Sequence, residues 1–168
     1  MGGAPQIADP EVHVTASWSD FRESSPDLEA AGRRLLVGAD GVAFALLATV
    51  GDGARPHLAP VCPVFCGGHV YLVSAAHTPK TADLHTRRGF VLHALPGPAD
   101  EEFQVAGLAR RVEDAAERSA VHNAVPFAAF SRTDPIFRLE LERALWVRWE
   151  RVGQPDTQAV RTRWRSVP

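Results

Sequence analysis

Lys80 is the only lysine in a chain that carries 18 basic side chains; all the others are arginine. Arginine therefore serves wherever surface charge alone is needed, and the retained lysine marks a place where a compact ammonium is required. It stands in the run Thr78-Pro79-Lys80-Thr81. Threonine followed by proline opens a helix, because proline lacks only an N–H that would be unpaired there anyway. The start of a helix offers free N–H donors. With a hydroxyl from Thr78 or Thr81 and the Lys80 ammonium, that is a set of groups suited to a phosphate. The plainer alternative is a solvated helix lysine. His77 precedes the turn and could add a contact. No acid–base dyad is evident, so no catalytic residue is assigned. His85, His93 and His122 are expected to be structural or solvated. Cys62 and Cys66 lie four apart; in an extended segment their Cα atoms would be roughly 13 Å apart. A disulfide tolerates about 7 Å, so free thiols are expected, and too few soft ligands stand nearby for a metal.

The elements that must hold Lys80 can be read on either side of it. Val70 to Ala75 is β-branched, aromatic or small, as a buried strand requires. The helix after Pro79 carries Arg87 and Arg88 near its end, with Gly89 in the position that favours a left-handed cap. Upstream, Trp18 and Phe21 have helical spacing. Ser25-Pro26-Asp27 starts a second helix with Leu28, Ala31 and Leu35 inward, ended by Gly38. Val42 to Val50 is an apolar strand, and Gly51-Asp52-Gly53 turns it. The return segment contains Pro56, Pro60 and Pro63, so it must be irregular, bulged or at an edge. These strands and Val70 to Ala75 read as a three-stranded meander. Downstream, Phe90 to Leu95 is a fourth strand, broken by Pro96-Gly97-Pro98. Glu102 to Val112 is a fifth, bent at Gly107. Asp114 caps a helix through Ala124 with Ala116, Ala120 and Val121 inward, and Phe127 and Phe130 follow. Ile136 to Trp149 is a sixth strand whose alternation slips near Ala144. Trp146 and Trp149 fall on its opposite faces. A last short strand covers Val160 to Trp164.

The chain has 168 residues, 45% hydrophobic and 23% charged, with a formal net charge of −2. That suits one soluble domain with a real core. Bulk charge favours neither nucleic acid nor an anionic membrane. No apolar run is long enough to span a bilayer, and Pro5, Asp9 and Glu11 stand where a signal peptide would be apolar. A cytoplasmic protein is expected, with residues 1–16 as a flexible arm and 17–168 as a single domain. Six or seven strands with short helices between them predict a mainly β (α+β), closed antiparallel barrel.

Three stretches carry a resemblance: GVAFALLATVGDGARPHLAPV, GGHVYLVSAAHTPKTADLHTRRGFVLHALPG and EEFQVAGLARRVED. In this order and spacing, from about Trp18 to Trp149, they resemble the FMN-binding split-barrel proteins related to pyridoxamine 5′-phosphate oxidase. The resemblance implies a split β-barrel homodimer with each FMN in a cleft between subunits. It implies that His57, Leu58, Ala59, Pro60 and Val61 line the isoalloxazine, partly through main-chain groups. Val73 and Ser74 would lie near the ribityl chain and phosphate. Thr78, Lys80 and Thr81 would hold the phosphate, and Trp146 and Arg148 would reach in from the second subunit. An FMN-dependent oxidoreductase of a small molecule is the implied function. The alternatives are a flavin carrier or sensor and a deazaflavin-dependent reductase; related barrels bind haem. Pro79 replaces the arginine of the true oxidases, and Trp164 and Arg165 stand outside their arginine-rich ending. Oxidation of a B6 vitamer is therefore not expected.

Overall fold

The computed structural model describes residues 13–97, 99–126 and 130–168. Helix α1 (Trp18–Ser24) begins with a reciprocal cap: Ser17 Oγ accepts the Asp20 N–H, and Asp20 accepts the Ser17 N–H. Helix α2 (Pro26–Leu36) follows with proline in its first turn. Strands β1 (Ala45–Val50) and β2 (Pro56–Val61) form a hairpin closed by a 3₁₀ turn at Asp52–Ala54. Strands β3 (Val64–Cys66) and β4 (His69–Val73) form a second hairpin through Gly67-Gly68. Then come α3 (Pro79–Thr86), β5 (Gly89–Ala94), β6 (Glu102–Arg111), α4 (Ala115–Ala124), β7 (Ile136–Glu150) and β8 (Gln158–Arg165).

All eight strands belong to one curled antiparallel sheet in the order β2-β1-β5-β6-β7-β4-β3, with β8 on the far half of β7. The expected three-stranded meander does not form. The return segment breaks in two at Cys62-Pro63, and its halves go to opposite edges, β2 beside β1 and β3 beside β4. Among the described residues that division makes eight strands rather than the expected six or seven. It also leaves the path open between β2 and β3 instead of closed, with prolines blunting the β2 edge. The slip in β7 is a bulge. Ala106 faces Arg143 and Gly107 faces Leu141, so Glu142 is the extra residue. A Cβ at Gly107 would stand 1.9 Å from the Glu140 carbonyl oxygen, so only glycine fits opposite the bulge.

The concave face holds the core: Leu47, Leu92, Phe103, Val105, Leu139 and Leu141 from the sheet, closed by Trp18, Phe21, Leu28 and Leu36. Helix α2 lies against β6 at Gly32, where a Cβ would come within 2.2 Å of the Phe103 ring. Arg34 clamps Glu101 at 2.9 and 2.8 Å beside that contact. On the opposite face of β3 and β4, α4 covers a second cluster through Val121. Glu117, Val121 and Val125 share one stripe by i,i+4 spacing. Ala116 and Ala120 fall off it and are exposed, contrary to expectation. Residues 13–16 of the expected arm lie along β7, where Ala16 and Leu141 exchange main-chain hydrogen bonds. Residues 1–12, Pro98 and Phe127 are outside the described residues. Among the described residues, no helix is long and apolar enough to cross a membrane.

Candidate functional site

Helix α3 begins where β4 ends, and the join is held by hydroxyls. The Thr81 Oγ1 lies 2.7 Å from Ser74 Oγ, 2.9 Å from Thr78 Oγ1 and 2.9 Å from the Ala75 carbonyl oxygen. Ser74 is 0% exposed and Thr81 5%. Thr78 is the N-cap residue, yet its hydroxyl turns back to the Ala75 carbonyl rather than to a helix N–H. These hydroxyls therefore shape the turn. The Lys80 main-chain N–H, in the first turn, has no partner among the described residues. The half-buried Lys80 ammonium has no carboxylate partner there either.

Lys80 lines a cavity of about 350 Å³ together with Ser74, Val73, Pro60, Val61, Phe44 and Phe130. The structure thus brings five of the twelve expected site residues to one place. Thr78 and Thr81 sit directly behind it. The other five go elsewhere within the chain. Leu58 points outward from the β2 edge, 68% exposed, and Ala59 faces Leu47 across the ladder. Trp146 is on the core side of β7, donating from Nε1 to Glu101 at 3.3 Å, with the Arg148 guanidinium 5.0 Å from its ring. His57, at the far end of β2 from Val61, is engaged by Asp83.

Asp83 was not legible as a site residue. It is 8% exposed, and its Oδ2 accepts from Thr49 Oγ1 at 2.6 Å and from His57 Nδ1 at 2.7 Å. Burial pushes its carboxyl up. The hydrogen bonds from Thr49 and His57 outweigh that and hold it below the usual carboxylate range. A depressed carboxyl stabilises the fold above its ordinary value of 3.8 and loses that contribution as pH falls below it. In acid titration followed by circular dichroism, Asp83→Asn therefore flattens the acid limb of unfolding. An acid limb identical to that of the parent would mean that Asp83 does not titrate with the fold.

The convex face was also missed. Register places Arg143 opposite Arg165, Leu145 opposite Arg163 and Val147 opposite Arg161, so the four arginines share one face of β7 and β8. None has a carboxylate or hydrogen-bond partner among the described residues. Register continues this face across Ala106, Val91, Ala48 and Leu58. Two grooves lie on it, of about 250 and 440 Å³. Exposed Phe44, Val50, Leu58 and Leu95 make its other end apolar.

No protein-family model and no curated sequence matches the chain. Solved structures do. A heme binding protein from Mycobacterium smegmatis aligns at 22% identity and TM-score 0.55 over 78% of this chain, which spans 57% of that protein. A Clostridium acetobutylicum protein related to general stress protein 26, of the pyridoxinephosphate oxidase family, aligns at 11% identity and TM-score 0.53 over 84% of this chain and 94% of its own. PhzG from Burkholderia lata, solved with tetrahydrophenazine-1-carboxylic acid, aligns at 14% identity and TM-score 0.54 over 95% and 99%.

Proposed function

The chain has the split-barrel fold of the pyridoxamine 5′-phosphate oxidase-like proteins, and from that premise we propose that it binds FMN and serves as a flavin-dependent oxidoreductase of a small anionic molecule. One observation carries the reading. The sole lysine of the chain stands in a cavity at a helix start with no carboxylate partner among the described residues, beside a main-chain N–H that has no partner among them. An ammonium and a free N–H are the donors a phosphate monoester needs. FMN supplies the electron transfer when bound, and the chain's residues anchor and orient it. The β2 edge supports the ring, because every second residue there turns main-chain N–H and C=O groups outward. The convex-face arginines, which have no carboxylate or hydrogen-bond partner among the described residues, favour a substrate with negative charge.

Haem fits the cavity poorly. No histidine, methionine or tyrosine lines it among the described residues.

Small-molecule sites occupy about 300–1,000 Å³, and the 350 Å³ of one chain stands at the low end of that range, a small space for a three-ring flavin with its ribityl phosphate. Phe44 and Pro60 join that cavity to the apolar end of the convex face, and a second copy seated there would complete it. Titrating the purified chain with FMN is expected to quench flavin fluorescence, and the loaded sample to sediment as a dimer. An absence of quenching overturns FMN binding. Tighter binding of a deazaflavin would reassign the cofactor, and a loaded monomer would remove the second copy from the site.

A further inference from the structure

Helix α3 has eight residues and buries only Thr81, Asp83 and Leu84. A helix this short has little stability of its own, so its contacts with the sheet decide its placement. Leu84 is the single apolar anchor among those three. Thr81 ties the first turn to the end of β4 through Ser74 and the Ala75 carbonyl. Asp83 makes the second tie, to a different part of the sheet. Thr49 and His57 are direct partners across the β1–β2 ladder, and one Asp83 oxygen takes a hydrogen bond from each. Gly51 leaves the room this needs: a Cβ there would stand 2.6 Å from His57 Cε1 and 3.1 Å from Asp83 Oδ1. Arg87, one turn on, also faces Asp83 and pairs with Asp52 of the hairpin turn at 3.9 Å.

The two ties act at different places on the helix. Thr81 is the neighbour of Lys80, whereas Asp83 lies nearly a turn beyond it. With the first tie alone, the helix could pivot about its start, and the Lys80 side chain would swing with it. The second tie removes that freedom. It also joins the helix to the hairpin whose other end, Pro60 and Val61, lines the Lys80 cavity.

We propose that Asp83 is a positioning residue for Lys80: by clasping His57 and Thr49 it fixes where the ammonium stands in the cavity, and so sets the affinity for the phosphate of a bound ligand. The inference rests on the phosphate-holding role of Lys80, and the test separates the two. FMN and riboflavin, the same ring without the phosphate, are titrated into the parent chain, Lys80→Ala, Asp83→Asn and the double variant. Asp83→Asn is expected to lower FMN affinity about tenfold while riboflavin affinity stays within about twofold, and Lys80→Ala is expected to cost about tenfold less in the Asp83→Asn background than in the parent chain, as coupled residues do. Thr49→Val removes one arm of the clasp with the carboxylate kept, and is expected to act in the same direction to a smaller extent. Equal losses for both ligands would make Asp83 a merely structural residue and overturn the proposal. So would a Lys80→Ala effect that is undiminished beside Asp83→Asn. If Lys80→Ala alone leaves FMN affinity unchanged, the phosphate-holding role falls first and the clasp with it.

Discussion

Replacing Lys80 with alanine weakens FMN binding by about 1.5–3 kcal/mol, the range for a hydrogen bond to a charged group. That corresponds to roughly a 10- to 150-fold rise in dissociation constant. The expectation follows from the surroundings of the ammonium. No carboxylate of the described residues neutralises it, so the phosphate would be its first counter-ion. The neighbouring hydroxyls cannot take over its part. Thr81 is 5% exposed and bonded to Ser74 and the Ala75 carbonyl, so its exchange for a ligand would undo the turn. Riboflavin affinity should be unchanged by the same substitution, since the ring touches other residues. Lys80→Arg should not restore full affinity. The guanidinium is planar and broader than an ammonium, and the cavity is a small one. A dissociation constant for FMN that does not move on Lys80→Ala would place the phosphate elsewhere.

Phe103→Ala has the largest expected effect on stability, a loss of about 3–5 kcal/mol. Whole domains are stable by only about 5–15 kcal/mol, so this one change approaches the margin of the fold. Phe103 is 0% exposed, at the centre of the concave face. Its ring lies against the α2 backbone at Gly32 and edge-on to Trp18, 6.4 Å between centroids. Helix and strand backbones fix both sides of the space it fills, so the cavity left by alanine cannot collapse easily. Guanidinium unfolding monitored by tryptophan fluorescence measures the loss. A cost below about 1 kcal/mol would fit only an exposed ring, and would contradict the packing of α2 on β6.

Local signals in the chain were enough for most elements. The apolar run ending at Val50, the cap at Asp114 and the Pro79 helix start each became an element close to its expected bounds. The bulge was visible as a slip of alternation near Ala144, although not that Glu142 was the surplus residue. What stayed hidden was set by contacts distant in sequence. Pro60 and Pro63 announced an irregular strand, but nothing local told that its halves would go to opposite edges of the sheet. The left-handed residue after α3 is Arg88, with φ of 64°, rather than Gly89. Arg88 accepts that conformation because its carbonyl takes the Ala109 N–H and its Nε donates back to the Ala109 carbonyl. Within the candidate site, Lys80 was conspicuous as a lone residue type. Asp83 was not, because its partners Thr49 and His57 are 34 and 26 positions away. The convex arginines escaped notice because each alone is an ordinary surface charge. Only the β7–β8 register collects them on one face.

The 15-residue strand β7 borders three others, β6 along one side and β4 then β8 along the other. This has a consequence for synthesis on the ribosome. Until Ile136 to Glu150 have emerged, β4 and β6 each lack a neighbour, and the two hairpins at the edges have nothing to join them. Pairings so distant along the chain form slowly, after a large loop has been closed. The nascent chain therefore stays incompletely paired until β7 has emerged, with open strand edges exposed to other chains meanwhile.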